Sequence, residues 1–304
     1  MDAISLDQLR VFEAVVETGS FSAAARRLRR VQSAVSYAIG NLESQLGVAL
    51  FERGHQRPIL TDAGKSVLGD ARAVALKVDA LRLRVRGLRQ GLETELALAV
   101  DVIFPMAVLV EALDAFRHEF PTVAVRLYVE ALGAVPAVVQ QGICRVGIMG
   151  TLPTVPDGIE AHALAPVTLI PCVTPEHALA AHDGPIPTAL LREHIQLVLT
   201  DRSDLTQGRD FGVLSARTWR LADLGAKHAL LRAGLGWGTL PEHLAAPDLA
   251  SGRLVQLRPA EWLGGVFRIP MQFIHRADEP LGPAANWFLT RISRCAATAQ
   301  AQAG

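Results

Sequence analysis

The stretch from Phe21 to Gly47 leaves this chain little choice of local fold. Phe21-Ser22-Ala23-Ala24-Ala25 opens a short helix, expected over Ser22 to Leu28, and Arg29-Arg30-Val31 follows as a turn. A second helix is expected from about Gln32 to Leu46, stopped by Gly47, whose missing Cβ admits a left-handed terminus. Within it Val35, Ile39, Leu42 and Leu46 recur at spacings of 4, 3 and 4, which puts them on one stripe. Ser33, Ser36, Tyr37 and Gly40 then project from the opposite side. One side is core-forming; the other is small and polar, fit to enter a groove. That is the pattern of a helix-turn-helix, whose second helix lies in the DNA major groove, and equally of an ordinary helical hairpin. Spacing alone leaves both open.

The flanking residues tip the balance. A helix is expected from Leu6 to Thr18, with Leu9, Phe12 and Val16 on one face and Gly19 at its end. Ser20 or Ser22 can cap the helix that follows. After Gly47 an apolar ribbon, Val48 to Arg53, leads into the basic turn Gly54-His55-Gln56-Arg57-Pro58, and Ile59-Leu60 returns. This reads as a two-stranded wing that sets Arg53 and Arg57 where a phosphate backbone passes. Either arginine alone reads as a solvated surface charge; together, beside the polar helix face, they favour DNA. Charge agrees: residues 1–92 carry 14 Lys+Arg against 9 Asp+Glu, and the remainder carries 16 against 21. A basic front and an acidic back suggest a polyanion partner for the front alone.

Several segments together, Leu9-Arg10-Val11-Phe12, Gly19 through Ala25, Gln32-Ser33-Ala34-Val35-Ser36, Leu42-Glu43, Leu46-Gly47, Leu50-Phe51-Glu52-Arg53 and Leu60 through Gly64, resemble the winged helix-turn-helix of LysR-type transcriptional regulators. The likeness runs without a gap over about 60 residues. It implies that Gln32, Ser33 and Ser36 lie on the groove-facing part of the recognition helix and that Arg53 meets phosphate; Ser22 and Tyr37 are further candidates for DNA contact. Position 37 departs from the family: arginine is usual there, and this chain has tyrosine, which can still donate to a phosphate or pack on a thymine methyl.

From Thr61, a candidate cap, no proline interrupts the chain before Pro105. Val67, Ala71, Val74, Val78, Leu81, Val85 and Leu88 form a heptad seam, with arginines on the other faces. Such a seam argues for a helix paired with its own copy, and less strongly for one packed on its own chain. A dimer would present two recognition helices to a pseudo-palindromic operator. The resemblance implies the same dimerising role.

Beyond about Glu95 short strands alternate with helices, which predicts a parallel, doubly wound sheet. Two such sets joined by crossing strands near Val167–Leu169 and Val266–Arg268 suggest two lobes of the periplasmic-binding-protein kind, with a ligand cleft at the strands' carboxyl ends. The expected fold class is therefore multi-domain α/β: a winged helix-turn-helix over 1–62, a linker helix over 63–92 and an effector-binding domain over 93–304. Lobe I would comprise 93–167 and 268–304, and lobe II 168–267. Pro171 through Leu179 and Gly234 through Pro241 carry the family likeness here, which implies a small effector in the cleft; Arg145 stands where the family commonly has aspartate. Candidate effector contacts are Asp101, Val102 and Ile103 after the first strand, Thr200, Asp201 and Ser203 after a lobe II strand, Lys227, which could pair with Asp101 across the cleft, and Trp237. Plain structural roles compete for each: a local cap for Asp101, an exposed lysine, a core tryptophan. A carboxylate at 101 would disfavour a carboxylate effector.

The sequence offers no Gly-x-Ser-x-Gly elbow, no P-loop and no Gly-x-Gly-x-x-Gly between a strand and a helix, so neither an enzyme nor a cofactor is expected. His177 and His182 lack a third ligand at useful spacing, so no metal is expected. The cysteines Cys144, Cys172 and Cys295 are far apart and fit a reducing compartment; a thiol switch would rest on Cys172 and Cys144. A polar, acidic start and the lack of any long apolar run point to a cytoplasmic chain without a membrane partner. The expected partners are double-stranded DNA, a small effector and one or three further copies of the chain. A cytoplasmic enzyme or a solute-binding protein built on the α/β part is the alternative.

Overall fold

The computed structural model describes residues 4–52, 57–89, 91–150, 152, 155–262 and 265–303, and it divides into two compact units, Met1–Arg89 and Gln90–Gly304. The first unit holds α1 (Leu6–Thr18), α2 (Phe21–Leu28), α3 (Gln32–Leu46) and α4 (Asp62–Arg89). Its helices start where side chains can satisfy free amides. The Ser5 hydroxyl accepts from the Gln8 amide at 3.2 Å while Gln8 Oε1 accepts from the Ser5 amide at 2.7 Å, a reciprocal cap on α1. Ser20, rather than Ser22, caps α2, so that helix opens one residue earlier than the sequence suggested. Gly47 ends α3 in the left-handed region, at φ 72°. Val35, Ile39 and Leu42 are buried against Phe12, Val15 and Leu50, and Phe51 sits edge-on to both Phe12 and Phe21 at 5.5 and 5.6 Å.

The return from the ribbon is locked. Phe51 bridges Leu60 in antiparallel sense, and Glu52 N–H donates to Ile59 O at 2.8 Å. The Thr61 hydroxyl accepts from the Gly64 amide at 2.9 Å and donates to Ala49 O at 2.7 Å, which starts α4. A Cβ on Gly64 would lie 2.2 Å from Leu50 O, so only glycine lets α4 pass this close. The seam of α4 divides. Val67 and Ala71 pack into the core of their own unit, which corrects the expectation that they face a partner: α1 already packs against the N-terminal part of the helix. Val74, Leu81 and Val85 are 45%, 58% and 47% exposed, and Val78 is half-buried. The side chain of Leu88 lies outside the described residues.

The second unit contains β1 (Glu95–Asp101), α5 (Met106–Glu119), β2 (Ala124–Glu130), α6 (Ala134–Gln140), β3 (Val146–Met149), β4 (Ile159–Val173), α7 (Thr188–Arg192), β5 (Gln196–Leu199), β6 (Thr218–Leu221), α8 (Leu224–Arg232), β7 (Gly238–Pro241), α9 (Glu242–Ala250), β8 (Val255–Gln256), β9 (Phe267–Arg276) and α10 (Pro283–Ala303). Strands run in the order β2-β1-β3-β9-β4-β7, β8 also pairs β4, and β5-β6 forms a separate parallel pair. The sheet is mixed rather than parallel. β1 lies parallel to β2 and β3, but β9 is antiparallel to β3 and β4, and β4 is antiparallel to β7 and β8. The reason is the crossing itself: β4 carries the chain out of lobe I and β9 brings it back, so they run opposite ways and pair along their length.

The two crossing pieces expected from sequence pair with each other, Val167 with Ile269 and Leu169 with Phe267, and the register slips between Leu164 and Val167. The first part of β4, together with α9 and β8, was not legible. Pro247 lies inside α9, where its ring forgoes a helix hydrogen bond, so that stretch does not read as helix. Phe116, Phe273 and Phe288 anchor the core of lobe I, and Leu197, Leu231 and Leu240 that of lobe II. Arg145 pairs with Glu279 and donates to Pro280 O at 2.8 Å, fastening the start of β3 to the turn before α10. Among the described residues no helix is long and apolar enough to cross a membrane.

Candidate nucleic-acid interface and ligand cavity

The first unit opens a groove of about 510 Å³ between the start of α2, the polar face of α3 and the ribbon, lined by Ser22, Gln32, Ser36, Gly40, Glu43 and Pro58 among others. The structure thus brings Ser22, Gln32 and Ser36 together. Ser33 and Tyr37 are exposed on the same helix outside the groove, Tyr37 at 72%. Arg57 is exposed, and Arg53 lies outside the described residues. The α3 N-terminus is capped by no side chain, which leaves its first amides for a phosphate oxygen.

The basic charge is unevenly available. Arg30 is held by Asp7 through two hydrogen bonds of 2.7 Å, and this partner keeps the Asp7 carboxyl below its ordinary range. Arg27 is held by Glu17 at 2.5 Å. Among the described residues Arg26, Arg29 and Arg57 have no carboxylate partner. Sequence reasoning passed over Glu43 as a site residue. Its Oε1 accepts from the Leu50 and Phe51 amides at 2.6 and 3.2 Å, so it fixes the ribbon against α3.

In the second unit a cavity of about 60 Å³ lies between the lobes, lined by Ile103 and Leu132, by Leu169, Phe267 and Ile269 of the crossing strands, and by Gln196, Lys227 and Thr239 of lobe II. It has room for about two waters and is far smaller than a ligand site of ordinary size. Of the sequence-nominated contacts it gathers Ile103 and Lys227. Lys227 is buried; its ammonium donates to the Thr239 hydroxyl at 3.3 Å, and burial pushes its pKa down to about 8. No carboxylate pairs with it among the described residues, so the expected Lys227–Asp101 pair is not formed.

Asp101 is buried and accepts from the Ile103 amide at 3.1 Å; its carboxylate serves the turn after β1 and does not line the cavity. Val102 packs between the lobe cores. Thr200, Asp201 and Ser203 form a knot of their own: Ser203 donates to Asp201 at 2.6 Å, Thr206 also donates to Asp201, and Thr200 donates to Asp201 O at 3.4 Å. Asp201 and Ser203 meet lobe I at Gly133, where a Cβ would lie 2.5 Å from Ser203 Oγ, so they form a contact between lobes, and none of the three is cavity wall. Trp237 is fully buried in the core with Val173, Ile186 and Leu257, which removes it as a stacking platform.

Two residues beyond the nominated set shape the cavity. Gln196 accepts from the Leu214 and Ser215 amides at 2.8 and 3.0 Å and donates to Gly212 O at 2.8 Å, which holds the loop carrying Phe211 and Gly212 against the cavity. A glutamine opening the apolar run Leu197-Val198-Leu199 is the one signal that marks it. Leu132, though not glycine, sits at φ 52°, a strained backbone at the cavity wall. Cys144 and Cys172 are buried with thiols pushed up to about 11 and about 12, so neither offers the thiolate a redox switch needs. The histidines outside the nominated set include His162 and His275, which meet Glu160 across β4 and β9.

Comparison with known proteins identifies both units by family. The bacterial regulatory helix-turn-helix protein model of the lysR family matches residues 6–65, and the LysR substrate binding domain model matches residues 89–296. The chain belongs to the LysR family. The HTH-type transcriptional regulator PunR of Escherichia coli is 32% identical over 284 residues, covering 92% of this chain and 90% of its own. The HTH-type transcriptional activator AllS of Klebsiella pneumoniae is 27% identical over 259 residues, covering 84% and 96%. Full-length LysG from Corynebacterium glutamicum shares the fold with a TM-score of 0.51 at 21% identity, covering 97% of this chain and 99% of its own. CrgA from Neisseria meningitidis does so at 0.51 and 22%, covering 95% and 98%. This LysR-family chain is accordingly a DNA-binding transcriptional regulator with an effector-binding domain, and not an enzyme. Regulators of the family bind DNA and small-molecule effectors and form oligomers.

Proposed function

We propose that the chain reads a pseudo-palindromic operator as a dimer or a dimer of dimers, through the α2–α3 face over 1–62, with a linker over 63–92 and an effector domain over 93–304. The observation that carries the reading is the groove that gathers Ser22, Gln32 and Ser36 around an uncapped helix start. Base contacts would come from Gln32, Ser33 and Ser36, and phosphate contacts from Arg53, Arg57 and Tyr37. Val74, Leu81 and Val85 support pairing of two chains along α4, because an apolar stripe left in water favours a partner. Val125, Leu127 and Val129, exposed on one side of edge strand β2, support a second contact between dimers. Such a protein works where operator DNA is, in the cytoplasm.

The effector enters between the lobes and meets Lys227. A buried ammonium that donates to the Thr239 hydroxyl favours an anionic or strongly accepting group, which would restore the charge that burial disfavours. The small cavity must open to admit it, so binding changes lobe closure, which is the differential contact an effector needs to shift DNA geometry. A gel shift with the chain's own upstream DNA tests the reading at about 150 mM salt, where specific sites stand well above the salt-sensitive background. Sequence-independent or absent retardation sinks it. A panel of small carboxylates in a thermal-shift assay, repeated with Lys227→Met, tests the effector site; a ligand that shifts both proteins equally excludes Lys227 as its contact.

A further inference from the structure

Strands β4 and β9 bring three ligating groups together away from the ligand cavity. Glu160 and His162 are two apart on β4 and so share one face, and the register sets Glu160 directly opposite His275 on β9. His162 Nε2 lies 3.3 Å from His275 Nε2, and the Glu160 carboxylate lies 3.7 Å from each of these nitrogens. Two ligands about 2.05 Å from a tetrahedral ion are about 3.3 Å apart, the spacing of the two imidazoles. Glu160 is exposed, so its side chain is free to turn an oxygen toward an ion between the two imidazoles.

A second feature fixes the chemistry. His275 Nδ1 lies 2.9 Å from Arg276 O, and a carbonyl can only accept, so Nδ1 carries the proton and Nε2 turns its lone pair toward His162. That backbone hydrogen bond is the support metal-ligating histidines usually have. The neighbouring guanidinium of Arg276 is taken by Asp278 at 2.7 and 2.9 Å, so it does not compete for Glu160. The scaffold is two paired strands rather than a loop, so the ligands are positioned before any ion arrives.

We propose that Glu160, His162 and His275 bind a divalent first-row transition ion, with Zn²⁺ as the best fit for two imidazoles and a carboxylate, a fourth position being left for water. The ion clamps β4 to β9 near the start of the ribbon whose far end, at Leu169, Phe267 and Ile269, lines the ligand cavity. This site is independent of the effector reading and stands if that reading fails.

Untagged, chelator-stripped full-length protein titrated calorimetrically with Zn²⁺ is expected to take one equivalent per chain, and Co²⁺ in its place is expected to give the visible absorption of a four-coordinate site. His162→Gln and Glu160→Gln should each weaken Zn²⁺ binding at least about tenfold. Both change accessible side chains, and an unaltered melting curve in chelator confirms that each variant is folded. Failure of the wild-type chain to bind Zn²⁺ up to about 100 µM overturns the site, as does unchanged affinity in either variant.

Discussion

The two units prepare their sites in opposite ways. In the first, a polar groove of about 510 Å³ stands open, and everything behind it is finished: Ser5 with Gln8, Thr61 with Gly64, and Glu43 on the Leu50 and Phe51 amides. In the second, a small cavity of about 60 Å³, lined mostly by apolar side chains, holds a buried ammonium that donates to the Thr239 hydroxyl, beside a strained Leu132. A long, stiff polyanion is best met by a face rigid before contact. A small molecule that must change the protein is best met by a site left incomplete until it is filled.

The sharpest way to break this contrast is at Gly64. Gly64→Val should destabilise the first unit by about 3 kcal/mol or more, because the new side chain meets Leu50 O. All four tryptophans, Trp219, Trp237, Trp262 and Trp287, lie in the second unit, so their fluorescence follows that unit alone. Helical circular dichroism of the variant should show an earlier melting step while the tryptophan transition stays in place. A shift of the tryptophan transition would mean that the units do not fold independently.

Lys227→Met probes the incomplete site and should stabilise the second unit by about 1–3 kcal/mol at neutral pH, since it removes a buried charge without a carboxylate partner. The pH dependence has a definite sign. Burial lowers the folded pKa from 10.5 to about 8, so between these values the unfolded chain holds more protons. The penalty is present in full below pH 8, and wild-type stability rises from there toward pH 10.5. Denaturant titrations read by tryptophan fluorescence should show that rise in the wild type and lose it in the variant; an equal slope in both would place the titrating group elsewhere.

Glu43→Ala sharpens the other side. Orphaning the Leu50 and Phe51 amides should destabilise the first unit by about 2 kcal/mol and weaken DNA binding without touching a base contact. Equal DNA affinity would show that the ribbon does not need this anchor. Tyr37→Arg is the smallest change: it should raise non-specific DNA affinity and steepen the salt dependence by about one unit of log K per log salt, as one added phosphate contact does. An unaltered slope in an anisotropy series would put position 37 away from the backbone.

What the sequence disclosed follows the same division. In the first unit the decisive contacts are local: apolar spacings of 4, 3 and 4, caps three residues apart, and a glycine stop, so α1 and α3 have the bounds their residues predict. In the second unit a residue's role depends on what distant segments bring to it. Asp101 became a turn acceptor and Trp237 a core residue because lobe packing closed over them. Antiparallel pairing of β4 with β9 was hidden because strand–helix alternation says nothing about a strand that changes lobes. Glu160, His162 and His275 could not be joined by spacing, as 113 residues separate the two histidines. Lys227 was legible as a candidate, but its burial was not.

The α3 face is tested most directly by competition anisotropy at about 150 mM salt, with the upstream DNA retarded in the gel shift set against its scrambled counterpart, for the wild type and for Gln32→Ala combined with Ser36→Ala. Wild-type protein should prefer its operator by about 10³ or more, and the double variant should lose most of that ratio while its binding to scrambled DNA stays the same. A preference unchanged by the two substitutions would contradict the claim that this face reads the sequence.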